Sequence, residues 1–168
     1  LEATANAAAL VERVHRPDLL VMGALMHDLG KGHPGDHTEV GMVLVRDLAT
    51  RMGFAALDVD ILVAMVEHHL LLPDAATRRD LDDPSTIRRV ADQVRSLERL
   101  ELLAALTEAD SLATGPSAWS PWKAHLLTQL VNRTEHVLRG GDAAAVTEGA
   151  FPTPAQVAAL AQPGQHIL

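Results

Sequence analysis

Long apolar stretches alternate along the chain with short polar segments that contain glycine, proline or aspartate. No alternation of β-branched and polar residues persists long enough to indicate a strand. Ala, Leu, Arg and Glu dominate, and aromatic residues make up only 2% of the sequence, a composition that favours helix over sheet. We therefore expect an all-α helical bundle of about six or seven helices.

Capping residues and helix breakers mark where these helices begin and end. Pro17-Asp18 opens a helix that carries Leu19 to Leu29, and the glycines that follow end it. Asp36 with Glu39 forms a capping-box-like start for a helix that runs to about Met52. A further helix is predicted to begin at Asp58 or Asp60 and to reach His68 or beyond, with Pro73 as its limit. Another begins at Asp83-Pro84, and a Leu-rich helix runs from about Leu97 to about Leu112. The last long helix runs from Ser120-Pro121 to near Leu138, and a short one begins at Thr153-Pro154.

Length and composition predict a single domain. The chain has 168 residues, 48% of them hydrophobic, enough for one sizeable core. We assign residues 1–139 to this domain and residues 140–168, which are rich in Ala, Thr, Pro and Gly, to a linker toward a C-terminal region. The first residue is Leu and no signal peptide follows. We expect a cytoplasmic fragment of a longer polypeptide, truncated at its N-terminus.

Charge and hydropathy exclude several classes of partner. The formal net charge is −8, which argues against a broad nucleic-acid surface but leaves room for a small phosphorylated substrate. There is no cysteine, so neither disulfides nor thiolate zinc sites can form. The longest apolar runs, Leu19–Met26 and Ile61–Val66, fall short of the roughly 20 residues of a membrane span. We expect neither nucleic acid nor membrane as a partner.

The pair His27-Asp28 closes an apolar run and is followed by two glycines that flank Lys31. Charged groups are rarely placed against a core unless they are paired or hold a metal. A lone pair of this kind is more often a helix-end histidine with a capping aspartate. However, an aspartate in the last turn opposes the helix dipole, and something must offset that cost.

Other histidines and an aspartate share this apolar setting. His37 lies in the first turn of its helix, where a neutral imidazole is favoured over a charged one. His68 and His69 end a strongly apolar helix, and adjacent side chains diverge by about 100°, so one of them is expected to face the site; we favour His68. Asp110 closes a Leu- and Ala-rich run. Imidazoles mixed with carboxylates suit a transition metal better than Ca²⁺.

These residues predict phosphoryl chemistry. A carboxylate such as Asp28 is able to bridge two metals, which would suit hydrolysis of a phosphate ester. Lys31, four residues after His27, is placed to neutralise charge on a phosphate in the transition state. Taken alone, Lys31 would more often be a solvated loop lysine.

The motif His27-Asp28-Leu29-Gly30-Lys31 resembles the signature of the HD superfamily of metal-dependent phosphohydrolases. A more specific resemblance is to the branch of that superfamily found in bifunctional uridylyltransferase/uridylyl-removing enzymes. The residues that carry it are His68–Leu72, Arg78-Arg79-Asp80, Asp83-Pro84, Ala109-Asp110, Ala113–Pro116, Trp119 and Trp122-Lys123. The resemblance covers about residues 1–139.

The resemblance implies an HD-domain helical bundle with a divalent metal, Mn²⁺ or Mg²⁺, in a mononuclear or dinuclear centre. His27, Asp28 and Asp110 match superfamily metal ligands, His37 and His68 match ligands of a second metal, and Lys31 matches a phosphate-contacting lysine, so that Asp28 and Lys31 are the expected catalytic residues. The implied reaction removes UMP, or AMP in some relatives, from a tyrosine of the nucleotidylated PII signalling protein.

One departure from the family pattern concerns the helix before the His-Asp motif. The superfamily supplies a further histidine there, and this chain has only His15, at the predicted end of that helix. We expect the missing ligand to lie upstream of Leu1. Two alternatives remain open at this point: another HD-type phosphohydrolase acting on nucleotides such as guanosine tetraphosphate, and a non-catalytic helical module that relays a signal between flanking domains.

Overall fold

The computed structural model describes residues 2–146, which form helices joined by turns, with no strand in that range. In chain order the α-helices are α1 (Glu2–Ala9), α2 (Pro17–Met26), α3 (His37–Arg51), α4 (Ala56–His68), α5 (Leu71–Arg78), α6 (Pro84–Val94), α7 (Leu97–Thr114) and α8 (Pro121–Leu138). Short 3₁₀ helices cover Val11–Arg13 and Ala143–Val146. The all-α prediction is confirmed.

Three of the predicted helix starts carry the expected side-chain caps. The carboxylate of Asp36 accepts hydrogen bonds from the backbone N–H groups of Thr38 and Glu39. Asp83 caps α6 and Ser120 caps α8 in the same way, with a proline at the first helical position in both cases. Each cap satisfies an N–H group that the helix itself leaves without a partner.

The predicted start of α4 at Asp58 or Asp60 is wrong, because α4 begins one turn earlier with Ala55 as its N-cap. The two aspartates bind arginines of neighbouring segments instead of the helix end. Asp58 lies 2.9 Å from Nη1 of Arg16, and Asp60 lies 2.8 Å from Nη1 of Arg46. Tertiary ion pairs have taken the place of the expected local cap.

Two other boundaries differ from the prediction. Helix α2 ends at Met26 rather than near Leu29, so that the residues after it form a run of turns. Leu71–Arg78 form α5, which the sequence did not predict. Pro73 lies in the first turn of α5, two residues after its start at Leu71. Its missing N–H would have no helical partner there in any case, so Pro73 does not prevent this helix.

The helices enclose two hydrophobic cores. The first core joins α1, α2, α3 and α4 to one side of α7, and the second joins α5, α6 and α8 to the other side. Leu102 and Leu106 of α7 lie in the first core, whereas Leu100 and Leu103 lie in the second. Helix α7 is therefore the wall that the two cores share, and its C-terminal half faces the end of α2.

The beginning of the predicted linker packs onto the domain. Ala143 is buried and belongs to the second core, next to α6 and α8. Residues 147–168, including the helix predicted at Thr153-Pro154, lie outside the described residues. Among the helices of residues 2–146, none combines the length and the hydrophobicity needed to cross a lipid bilayer.

We expect Ser96→Ala to lower the free energy of unfolding by about 1 kcal/mol, the usual value of a serine N-cap. The hydroxyl of Ser96 accepts a hydrogen bond from the backbone N–H of Arg99, 3.2 Å away, at the start of α7. Urea unfolding followed by circular dichroism measures the change. Ser117→Ala, in an exposed turn, is the matched control and should change stability by no more than a few tenths of a kcal/mol. Equal effects of the two substitutions would contradict the role of the cap.

Candidate metal centre

Four segments that are distant in sequence meet at one place, beside the wall formed by α7. They are the turn after α2, the first turn of α3, the end of α4 and the C-terminal half of α7. Their side chains form two groups of three, and within each group the ligand atoms lie within 4.8 Å of one another. One group is Asp28, His37 and His69, and the other is His27, Asp28 and Asp110. Asp28 belongs to both groups.

Two buried imidazoles are held in the same way. Nδ1 of His27 lies 2.9 Å from the carbonyl oxygen of Ala24, and Nδ1 of His69 lies 2.6 Å from that of Val66. A carbonyl can only accept, so each Nδ1 donates its proton, and in the neutral imidazole each Nε2 has a free lone pair. An outer hydrogen bond of this kind is typical of histidines that bind a metal.

Polar atoms at the centre of the site lack hydrogen-bond partners. Nε2 of His27 and Oδ1 of Asp28 are both buried without one. Nε2 of His27 lies 3.2 Å from Oδ2 of Asp28 and 3.4 Å from Oδ1 of Asp110, without the alignment of a hydrogen bond. Buried unpartnered acceptors are costly, and a cation would satisfy them. Imidazole nitrogens and carboxylate oxygens are a donor set that fits a divalent metal.

The electrostatics of the centre also favour a cation. Burial lowers the pKa of His27, but the nearby carboxylate of Asp110, the carbonyl of Ala24 and the charge of Asp28 outweigh burial, and the net shift is upward. The interaction with His27 lowers the pKa of Asp110 and keeps it ionised. Burial lowers the pKa of His69, which favours the neutral imidazole that binds metals.

The N-terminus of α3 places His37 at the site. It is the first residue of α3, directly after the N-cap Asp36, and it is partly buried. Its ring meets that of His69 edge-on, with the centroids 5.7 Å apart. The local hydrogen bonds of Asp36 therefore fix the entry of α3 and, with it, the position of His37.

The expected choice between the two histidines at the end of α4 is reversed. His69, not His68, lies with Asp28 and His37, and its Nε2 is 4.0 Å from Oδ1 of Asp28. His68 points to the other side of the helix end, where its Nε2 lies 3.8 Å from a carboxylate oxygen of Glu67. The cause is the end of α4, where the side chains of these adjacent residues diverge. His69 lies in the turn after the helix and packs against the end of α2.

Lys31 lies beside the centre, at its open side. Its Nζ donates to Oδ2 of Asp28 at 2.6 Å, and its side chain is 63% exposed. This contact places a positive charge next to the shared carboxylate. The expected position of Lys31 near a phosphate is compatible with this geometry.

Most of the other histidines lie elsewhere, as expected. His15 is exposed and its Nδ1 binds Glu101 at 2.9 Å; His33 and His136 are also exposed, and His125 is partly exposed. His166 lies outside the described residues.

Helix α1 has no histidine, but Asn6 of α1 donates to the carbonyl of Ala109 at 3.0 Å and so fixes the backbone next to Asp110. The sequence offered no signal for this contact.

Gly30 allows the turn after α2 to approach α3 closely. A Cβ atom at this position would lie 1.8 Å from the carbonyl oxygen of His37 and 2.7 Å from the backbone nitrogen of Gly41. Both neighbours are backbone atoms, so neither can rotate away. Only glycine lets Asp28 and His37 come together from their two segments.

Comparison with known proteins gives a family and a set of relatives. The model of the HD domain family matches residues 1–114. A bifunctional uridylyltransferase/uridylyl-removing enzyme of Streptomyces coelicolor is 53% identical over 156 residues, which are 93% of this chain and 19% of the relative. The enzymes of the same name from Mycobacterium tuberculosis and Azotobacter vinelandii are 51% and 41% identical over 83% and 80% of the chain.

The chain spans less than a fifth of the length of these relatives, with 19%, 18% and 15% of each covered. No solved structure matches. The matched residues 1–114 contain every ligand candidate of the two groups, from His27 to Asp110. The resemblance inferred from the His-Asp motif is thus confirmed, and the chain belongs to the HD domain family.

Proposed function

We propose that this chain is the phosphodiesterase part of a nucleotidyl-removing enzyme, and that it hydrolyses the bond between UMP and a tyrosine of the PII signalling protein. The observation that carries the proposal is the pair of ligand groups that share Asp28. The names of the relatives include a uridylyl-removing activity, which supports the choice of UMP as the leaving nucleotide.

The residues that would hold the metal are His27, Asp28 and Asp110 on one side and His37 and His69 on the other, with Asp28 common to both. Mn²⁺ or Mg²⁺ is the ion we propose. When bound, such an ion supplies Lewis acidity toward the phosphate and toward water. This assignment is supported by Nε2 of His27 and Oδ1 of Asp28, which are both buried without a hydrogen-bond partner.

The chain's own residues have distinct tasks in this reaction. His27 and His69 keep their Nδ1 protons on backbone carbonyls, so their orientation does not change when a substrate arrives. Lys31 holds its ammonium group at the open side of the site, next to Asp28. There it stabilises the negative charge that develops on the phosphate oxygens.

The overall reaction consumes one water molecule. The oxygen of that water forms a bond to phosphorus, and the bond between phosphorus and the tyrosine oxygen breaks. The phenolic oxygen takes up a proton, and UMP is released. We further propose that residues 1–139 form the HD domain of a longer enzyme that has a nucleotidyltransferase domain before it and regulatory ACT repeats after it.

Lys31→Met should lower kcat for UMP release by roughly tenfold to a hundredfold without weakening metal binding, because it removes a charge that stabilises the phosphate in the transition state but that, next to Asp28, opposes a bound cation. Lys31→Arg keeps the charge and should restore a measurable part of the rate. Steady-state release of UMP, measured by chromatography at saturating Mn²⁺, gives the rate. A wild-type kcat in Lys31→Met would contradict the role of Lys31.

The proposed function is tested with PII that carries a uridylyl group on its tyrosine. The 168-residue chain and a version extended upstream by one helix are incubated with this substrate and Mn²⁺, and UMP is quantified. The extended version is included because the family resemblance implies a further histidine ligand there. We expect release of UMP that is lost in Asp28→Ala and on addition of a chelator.

Two outcomes would overturn the proposal. Equal release by the wild-type and Asp28→Ala proteins would exclude the metal centre as the site of reaction. Absence of release from both versions, while guanosine tetraphosphate or a simple nucleotide is hydrolysed, would assign the domain to a different phosphohydrolase. Adenylylated PII is assayed in parallel, and preferential release of AMP would replace UMP as the assigned leaving group.

A further inference from the structure

A cleft lined by arginines lies on the other side of the end of α4 from the metal centre. We call it the arginine cleft; it has a volume of about 510 Å³, within the range of small-molecule pockets. The residues that define it are His68, Arg88, Arg89, Gln93, Arg95 and Arg99. No member of the two ligand groups lines this cleft.

The charge of the arginine cleft is opposite to that of the chain. Four arginines line it against two carboxylates, Glu67 and Asp92, whereas the whole chain carries a formal net charge of −8. Guanidinium groups that lie close together on a surface repel one another. An anionic ligand would remove that repulsion.

The arginines of the cleft are mostly without ion-pair partners. Arg88 lies 3.4 Å from a carboxylate oxygen of Asp142. Within residues 2–146, Arg89, Arg95 and Arg99 have no carboxylate oxygen within 4.0 Å. Other surface arginines of this chain, such as Arg46 and Arg139, do form such pairs. The guanidinium groups in the cleft therefore keep their donors available.

Arg95 has an unusual backbone conformation. Its φ is 70°, and it is the one non-glycine residue with a positive φ in the described part of the chain. It occupies the C-cap of α6, a place where helices commonly use glycine in a left-handed conformation nearby. Strained backbone of this kind concentrates at binding sites. The strain here holds an arginine where glycine would be easier.

We propose that the arginine cleft binds the phosphate group of a nucleotide, in a site separate from the metal centre. Guanidinium groups match phosphate oxygens in charge and geometry, and Ser85 and Gln93 line the same cleft with neutral donors. The concave shape favours a small ligand over the flat acidic surface of a protein. This proposal does not depend on the proposed function of the metal centre.

The test is a calorimetric titration of the metal-free 168-residue chain with UMP, inorganic phosphate and uridine at low ionic strength. We expect one UMP per chain and no binding of uridine. Arg95→Gln and Arg99→Gln should each weaken the Kd for UMP about tenfold, the effect of losing one charge-assisted hydrogen bond. Arg51→Gln is the matched control: Arg51 is exposed on α3 and outside the cleft, and its loss should leave the Kd unchanged.

Each outcome has a defined meaning. Tighter binding of UMP than of inorganic phosphate assigns the site to a nucleotide, and equal binding assigns it to free phosphate; both support a phosphate site. Binding of uridine as tight as that of UMP, absence of UMP binding, or equal weakening by Arg51→Gln and Arg99→Gln would overturn the proposal. Arg89→Gln, on the exposed side of α6, serves as a further variant if Arg95→Gln fails to fold. Because no metal is present in the titration, its failure leaves the proposal for the metal centre unaffected.

Discussion

Asp28→Ala should abolish the binding of Mn²⁺, because Asp28 is the one ligand candidate common to both groups of the metal centre. His37→Ala and Asp110→Ala each remove a ligand from one group only. They should weaken binding at one position and leave the other. Isothermal calorimetry with Mn²⁺ measures both stoichiometry and affinity, and it distinguishes loss of all binding from loss of one class of site.

The stability of the metal-free protein provides the control for Asp28→Ala. Asp28→Ala removes a buried Oδ1 that has no hydrogen-bond partner together with the ion pair between Oδ2 and the largely exposed Lys31, which is worth less than about 1 kcal/mol, so the melting temperature of the metal-free chain should change little. Asp47→Ala, which removes an exposed aspartate of α3, should bind Mn²⁺ like the wild type. Wild-type affinity and stoichiometry in Asp28→Ala would disprove the shared-ligand arrangement.

Gly30→Ala should lower the free energy of unfolding by about 3 kcal/mol or more, at the upper end of the effects of overpacking. The added methyl group would lie 1.8 Å from the carbonyl oxygen of His37, and the start of α3 must move to admit it. The affinity for Mn²⁺ should fall with stability, since His37 moves with the helix. Chemical denaturation and calorimetry on the same variant measure the two effects.

The matched control for Gly30→Ala is Gly32→Asn, two residues further along the same turn. Gly32 has a φ of 88°, and no atom lies within 4 Å of the position that a Cβ would occupy there. Asparagine tolerates this left-handed conformation better than most residues. We expect a change of less than about 1 kcal/mol and unaltered metal affinity. If Gly30→Ala were as mild as Gly32→Asn, the close approach of the turn to α3 would not be what joins the ligands.

Those features of the fold that depend on residues close together in the sequence were predictable. The caps at Asp36, Asp83 and Ser120 form as expected, because an N-cap is a contact over two or three residues. Asp58 fails as a cap for the opposite reason. Its carboxylate binds Arg16, a residue 42 positions away, and no local pattern contains that partner.

The candidate site likewise combines residues that the sequence could identify with contacts that depend on tertiary packing. The His-Asp motif and the apolar setting of His37 and Asp110 identified residues that the structure does bring together. The choice between His68 and His69 depended on where α4 ends and on which side of that end α2 packs. The same was true of Asn6, whose hydrogen bond to Ala109 spans 103 positions. Such contacts follow from tertiary packing and could not be predicted from spacing.

The position of α7 between the two cores has a consequence for the cooperativity of unfolding. A chain with two separate cores would ordinarily be able to lose one while keeping the other. Here the loss of either core exposes one side of the helix on which the other core is built. We therefore expect the two halves to unfold together in a single transition.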